Sequence, residues 1–219
     1  MSIPLSPRLQ ACCSFVAPGD RVADIGCDHG YLSIHLLQEG IASAVIAADI
    51  NKMPLQSARN NAEKYGVQDK IRFFLSDGVC NLPQDFDTLV CAGMGADTMV
   101  SILEAAPWLR STQYRLILQC QSKTPLLRQY LSDHGWQITQ EVVIRDGRFL
   151  YTVMEVCYAP DAPRLSAAQC YLSPALLSTN NADTADYCRW VIGGLQISAQ
   201  HTQDPEKLQL LQKLQHLAP

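Results

Sequence analysis

Residues 24–32 read DIGCDHGYL, directly after the apolar pair Val22-Ala23. An apolar run, an acid, a glycine turn and a helix start follow one another without a spare residue. That order is the strand-turn-helix of a nucleotide-binding loop. Gly26 supplies the sharp turn, and Gly30 opens the helix where a backbone must come close to a ligand. The middle position, where such loops carry a further glycine, is Asp28, followed by His29. Aspartate tolerates left-handed backbone angles better than most residues with a side chain. The replacement is sterically admissible, but it brings a negative charge.

That charge selects among ligands. It repels a pyrophosphate and suits a molecule carrying a sulfonium and an α-ammonium group. S-adenosylmethionine is therefore favoured over NAD. Composition alone also admits a plain strand-to-helix turn with a solvated acid. Two further acids follow in order. Asp49 ends the run Ala44–Ala48 and is placed to accept hydrogen bonds from ribose hydroxyls; its alternative is a helix N-cap, a job Asn51 would also do. Ser76-Asp77-Gly78 follows the run Ile71–Leu75, where an acid and a neighbouring amide can hold an adenine. Ala92-Gly93-Met94-Gly95-Ala96 follows the fourth run. Its glycines leave room for a planar base, and Met94 either packs on an adenine face or fills core.

Outward from the loop, strand-like and helix-like segments alternate from residue 20 to about residue 157. Strands are expected at 22–25, 44–48, 71–75, 88–92 and 115–118, and helices at 31–38, 52–65, 98–105 and 126–134. Residues 137–144 and 149–156 flank Asp146-Gly147, a hairpin signal. The expected fold is α/β and doubly wound, with the ligand at the carboxyl ends of the first strands. The stretch APDAP at 159–163 reads as a linker. Beyond it, residues 185–198 and 206–217 read as a helical hairpin, the second helix with Leu208, Leu211, Leu214 and Leu217 spaced by three. The expected division is a catalytic domain over 1–158, a linker over 159–164 and a helical tail domain over 165–219.

At 219 residues there is room for one α/β domain and a small appendage. The formal charge of −4 gives no basic excess, so a nucleic-acid partner would need a local patch. No run approaches the roughly 20 apolar residues of a membrane span, and the start lacks a signal-peptide layout. The nine cysteines include no C-x-x-C pair. They read as small buried thiols of a cytoplasmic protein, with neither a disulfide framework nor a metal site.

The ordered set LSPRL (5–9), DIGCDHGYL (24–32), SDG (76–78), AGMGA (92–96), LILQ (116–119) and DGRFLY (146–151) resembles the bacterial tRNA adenine-22 N1-methyltransferase family. The likeness runs over residues 5–157 and, more loosely, into the tail at Trp190 and QHTQ (200–203). It implies a Rossmann-like class I methyltransferase: a seven-stranded, mostly parallel sheet, an antiparallel C-terminal hairpin and a small helical C-terminal domain that helps hold tRNA. The implied donor is S-adenosyl-L-methionine. This chain departs from the family at Asp49, where Glu is usual, at Ala96 for a glycine, and at Cys120-Gln121 for Pro-Asn.

Together these readings nominate Arg8, Asp24, Gly26, Asp28, His29, Gly30, Tyr31, Asp49, Ile50, Asp77, Gly78, Gly93 and Met94 for the cofactor. Asp28, His29 and Met94 are the candidates for chemistry. For the tRNA they nominate Arg8, Gly95, Lys123, Arg128 and Arg148, with Arg145 near the same strands. Trp190 is expected to pin one tail helix to its partner. The competing readings are a methyltransferase acting on another RNA base, a small molecule or a protein; a dinucleotide-dependent oxidoreductase; and a non-catalytic RNA-binding module.

Overall fold

The structure is a computed structural model, and it describes residues 3–179, 181–202 and 204–218. Gln203, the last residue of the QHTQ stretch, lies outside them. Seven strands form one sheet: β1 (Arg21–Ile25), β2 (Ala44–Asp49), β3 (Ile71–Leu75), β4 (Thr88–Met94), β5 (Arg115–Cys120), β6 (Trp136–Asp146) and β7 (Phe149–Tyr158). Their order is β3-β2-β1-β4-β5-β7-β6. β7 runs antiparallel to both of its neighbours, and the other pairings are parallel. The chain order reverses between β1 and β4, which opens a crevice at their carboxyl ends.

The central strands are continuous apolar runs because helices cover both faces. Val22, Ala23 and Ile25 of β1 and Val45–Ala48 of β2 are buried. On one face lie α1 (Pro7–Ser14), α2 (Tyr31–Gln38) and α3 (Lys52–Lys64). There Cys12, Leu36, Leu55 and Ala58 pack with Val45, Val90 and Val153. On the other lie α4 (Ala96–Glu104) and α5 (Thr124–Asp133). Met99, Ile102 and Leu127 there join Leu89, Leu116 and Met154. In α3 the buried Leu55, Ala58 and Ala62 recur at the helical period. The strands and helices read from periodicity are present, with shifts of a few residues at their ends.

The tail is richer than a hairpin. Two short helices, α6 (Ala167–Tyr171) and α7 (Pro174–Leu177), precede α8 (Ala182–Thr202) and α9 (Pro205–Leu217). Their serine caps, Ser166 and Ser173, are too close to proline and to each other for a periodicity reading to register. The tail core contains Leu172, Leu176, Tyr187, Leu195 and Leu214, together with Val143 of β6. The stretch 159–164 is docked: Ala159 N–H donates to the Gly135 carbonyl, and the following Leu165 N–H donates to Ser132 Oγ at 2.7 Å.

Two basic residues nominated for the tRNA mouth hold this tail instead. Arg128 is fully buried, so it does not meet a substrate. Its Nη2 lies 2.6 Å from Glu141 Oε1, and its Nη1 donates to the carbonyls of Cys170 and Tyr171. Burial disfavours its charge, but the Glu141 carboxylate beside it holds the guanidinium protonated. Ser173 closes the pair by donating to Glu141 Oε2. Arg145 is likewise committed, pairing with Asp183 and Asp186 of α8. Helices α8 and α9 carry Asp183, Asp186 and Glu206 against Arg189, Lys207 and Lys213, an even balance of charge.

Candidate cofactor and substrate site

The β1–α2 turn is built as its composition demands. Gly26, Asp28 and Gly30 have φ of 71°, 50° and 74°, so Asp28 adopts the left-handed angles its residue type allows. A Cβ on Gly26 would lie 2.3 Å from Met94 Cε, and one on Gly30 would lie 2.9 Å from Ala58 Cβ. Gly26 therefore leaves room for Met94, whose side chain packs against the main core. Gly30 lets α2 close on α3.

Two carboxylates are buried at the strand ends. Asp24 is 3% exposed and accepts from Ser33 Oγ at 2.6 Å. Burial pushes its pKa up to about 6, with the nearby Asp49 adding and the Ser33 hydrogen bond opposing. Asp49 accepts from the Asp28 amide at 3.1 Å and the Asn51 amide at 2.8 Å. It knits the loop to the end of β2, while the Asn51 side chain makes no cap. The Asp28 and His29 side chains lie 3.6 Å apart and both reach solvent.

The crevice contains a cavity of about 300 Å³. It is lined by Arg8, Asp24, Gly26, Asp28, His29, Tyr31, Gly93 and Gln121, among others. Ile50, Asp77 and Gly78 lie beyond it, at the ends of β2 and β3. Asp77 is exposed. A Cβ on Gly78 would lie 2.9 Å from Ile102 Cγ1, so that glycine answers a packing need. Ile50 and Leu75, with Met53 in the first turn of α3, are large apolar side chains left exposed here.

Sequence reasoning gave no role to Gln119, which organises the other wall. Its Oε1 accepts from Arg8 Nη1 at 3.1 Å and from the Gly93 amide at 3.0 Å. Gln119 is fully buried, and Gly93 stands at a bulge in β4 with φ of 83°. Asp146 Oδ2 holds Arg8 from the opposite side, 3.4 Å from Nε. Four separated motifs thus meet at one point: LSPRL, AGMGA, LILQ and DGRFLY. The available signal was one amide within the apolar run 116–120.

Of the other substrate nominees, Gly95 caps α4, and a Cβ there would lie 2.9 Å from Ser122 Oγ. Lys123 is exposed, at left-handed angles before α5, and pairs with Asp97 at 2.7 Å. Arg148 is exposed in the β6–β7 turn and lies over the Phe149 ring. The structure groups Gly95 and Lys123 at the β4 and β5 ends and leaves Arg148 on the hairpin.

This arrangement fits a cationic, hydroxyl-bearing nucleoside. Buried acids stand at two strand ends, and glycines keep the cradle open. The fold and site define a class I, S-adenosylmethionine-dependent methyltransferase. A methyltransferase domain model matches residues 5–154. The Bacillus subtilis tRNA (adenine(22)-N(1))-methyltransferase is 31% identical over 153 residues, which span 69% of this chain and 64% of that protein. The crystal structure of the Bacillus subtilis m1A22 tRNA methyltransferase matches with a TM-score of 0.82 at 26% identity, over 98% of this chain and 96% of that one. A Streptococcus pneumoniae protein solved in complex with S-adenosyl-L-methionine matches with a TM-score of 0.88 at 28% identity, over 99% of this chain and 100% of that one. The chain belongs to the methyltransferase-domain family, and a putative tRNA methyltransferase of Mycoplasma genitalium is 31% identical to it over 72% of this chain and 71% of that protein.

Among the described residues, no helix is long and apolar enough to cross a membrane. No group of His, Cys, Asp or Glu among them is placed to hold a metal ion.

Proposed function

We propose that this protein transfers a methyl group from S-adenosylmethionine to N1 of the adenine at position 22 of tRNA, in the cytoplasm. The observation that carries the cofactor half is the pair of buried carboxylates, Asp24 and Asp49, flanking a loop whose middle residue is Asp28. The tRNA half is supported by the likeness to the Mycoplasma genitalium and Bacillus subtilis relatives and to the Bacillus subtilis m1A22 enzyme structure.

S-adenosylmethionine, when bound, supplies an electrophilic methyl group. Asp24 receives the α-ammonium group, Asp49 the ribose hydroxyls, and the exposed apolar Ile50 and Leu75 a face of the adenine. N1 of the target has an in-plane lone pair, so no covalent enzyme intermediate is required. The protein's work is to hold the base in line and exclude water. Arg8, fixed between Gln119 and Asp146, positions the substrate edge without rotating away. The base becomes cationic as it is methylated, and a carboxylate nearby stabilises that charge. Asp28, which lines the cavity with His29 beside it, takes this role.

Asp28→Asn tests that assignment. Slower transfer with unchanged cofactor binding supports the chemical role, whereas a joint loss of both assigns Asp28 to cofactor binding alone. An unchanged rate would remove Asp28 from the mechanism. Titration with S-adenosylmethionine and with NAD separates a methyltransferase from an oxidoreductase, and binding of NAD alone would overturn the proposal.

A further inference from the structure

A second cavity, of about 400 Å³, lies between the end of β5 and helix α8. Gln121 lines both this cavity and the cofactor cavity, so the two adjoin. The walls bring Tyr151, Tyr171 and Tyr187 together with Trp190. Trp108 and Trp136 are packed edge-on against aromatic neighbours, as core residues are. Trp190 is different. It is 66% exposed and touches only the Tyr187 ring among aromatic partners, at 5.7 Å between centroids. It lines the cavity and is not one of the buried residues of the tail core. Thr152, 1% exposed, also lines the cavity, and its buried hydroxyl has no hydrogen-bond partner among the described residues. Lys123 also lines the cavity and pairs with the exposed Asp97.

We infer that this cavity holds the unpaired nucleobase next to the target adenine, stacked against Trp190, with its phosphate at Lys123. The inference rests on the tRNA reading above and extends it to a second base. N1 lies on the Watson–Crick edge, so the target must be unpaired to react. Drawing it to the β4 end strips its neighbour of a stacking partner. A pocket beside the cofactor cavity that offers an aromatic face and a spare hydroxyl replaces what was lost. Single-stranded RNA is held in this way, by bases splayed onto aromatic side chains. The tail agrees, because α8 and α9 carry acids and bases in even number and so no net basic excess to grip a backbone.

The test uses the full chain, unmodified tRNA transcript and S-adenosylmethionine. Trp190→Ala removes an exposed ring that rests on Tyr187 of the tail core, so the variant's melting temperature is measured alongside to show that the tail stays folded. The KM for tRNA should rise about 5- to 150-fold, as expected for losing one base stack, with cofactor affinity unchanged. Trp190→Phe should recover most of the loss. The wild type should show tryptophan fluorescence quenching on adding tRNA, and Trp190→Phe should not. Thr152→Val, which preserves shape, should alter the preference for the base next to the target while sparing cofactor binding. If the wild type methylates tRNA and Trp190→Ala matches it in KM, the pocket inference is overturned and the proposed function stands. If the wild type methylates no tRNA, the proposed function fails and takes the inference with it.

Discussion

Replacing Asp24 by Asn should separate stability from cofactor binding. Asp24 is buried and its carboxyl titrates at about 6, against 3.8 for an unperturbed aspartate. At 1.36 kcal/mol per pH unit, that gap makes ionised Asp24 a cost of about 3 kcal/mol to the empty fold. The sign follows from proton affinity. The folded state holds this proton more tightly than the unfolded chain does. The contribution to stability is therefore complete below pH 3.8 and is lost as pH rises through about 6. Asp24→Asn keeps an acceptor for Ser33 Oγ and removes the charge. The variant should unfold at the same or a higher temperature at pH 7.

Cofactor binding should move the other way. An α-ammonium group stays protonated below its ordinary pKa of about 7.7–8.0. Between pH 7 and pH 5 the ionised fraction of Asp24 falls about tenfold around a pKa of about 6, and a His29→Gln background removes the cavity's one histidine from the comparison. The Kd for S-adenosylmethionine should therefore rise about tenfold over that range in the wild type. It should be weaker and flat with pH in Asp24→Asn. Isothermal titration in buffers of different ionisation enthalpy should show proton release on binding near pH 6 for the wild type alone. S-adenosylhomocysteine keeps the ammonium and lacks the sulfonium, so it should show the same pH dependence. A wild-type Kd unchanged between pH 7 and pH 5, or undiminished binding by Asp24→Asn, would refute the assignment.

Arg128→Met should lower stability by about 3–5 kcal/mol in urea unfolding, because it strands Glu141 in the core. The double variant Arg128→Met, Glu141→Leu should recover most of that loss. Gly26→Ala places a methyl against Met94 at left-handed angles, a backbone cost of roughly 1–2 kcal/mol; calorimetry should record weaker cofactor binding in a protein that still folds. Gln119→Met strips the Gly93 amide of its acceptor and leaves Arg8 held by Asp146 alone, and tRNA turnover should fall more than cofactor affinity does. Arg8 and Lys123 line the two cavities and Arg148 stands farther out on the hairpin, so log Kd for tRNA against log salt should have a slope no steeper than about 3, at about 0.9 per phosphate. A steeper slope would point to a basic surface elsewhere.

The sheet was legible because parallel central strands are apolar on both faces, and runs such as 44–48 have no other use. The loop was legible because glycine and aspartate at fixed offsets imply left-handed angles, which Asp28 adopts at φ 50°. The reading failed where long-range pairing decides. Nothing local to Arg128 says that Glu141 lies opposite it, so a buried tether read as a surface cation. Arg145 misled in the same way, since its partners are 38 and 41 residues away. Gln119 was overlooked for the converse reason. A polar residue in a buried strand declares a partner but not which one, and here the partners come from α1 and β4.

The most direct test of the account is mass-spectrometric mapping of unmodified tRNA after incubation with the protein and S-adenosylmethionine. The account predicts a single methyl group on N1 of adenine 22. A methyl group on another base, or on another atom of that adenine, would contradict the substrate assignment. No transfer to tRNA at all, from protein that binds S-adenosylmethionine, would contradict the central claim.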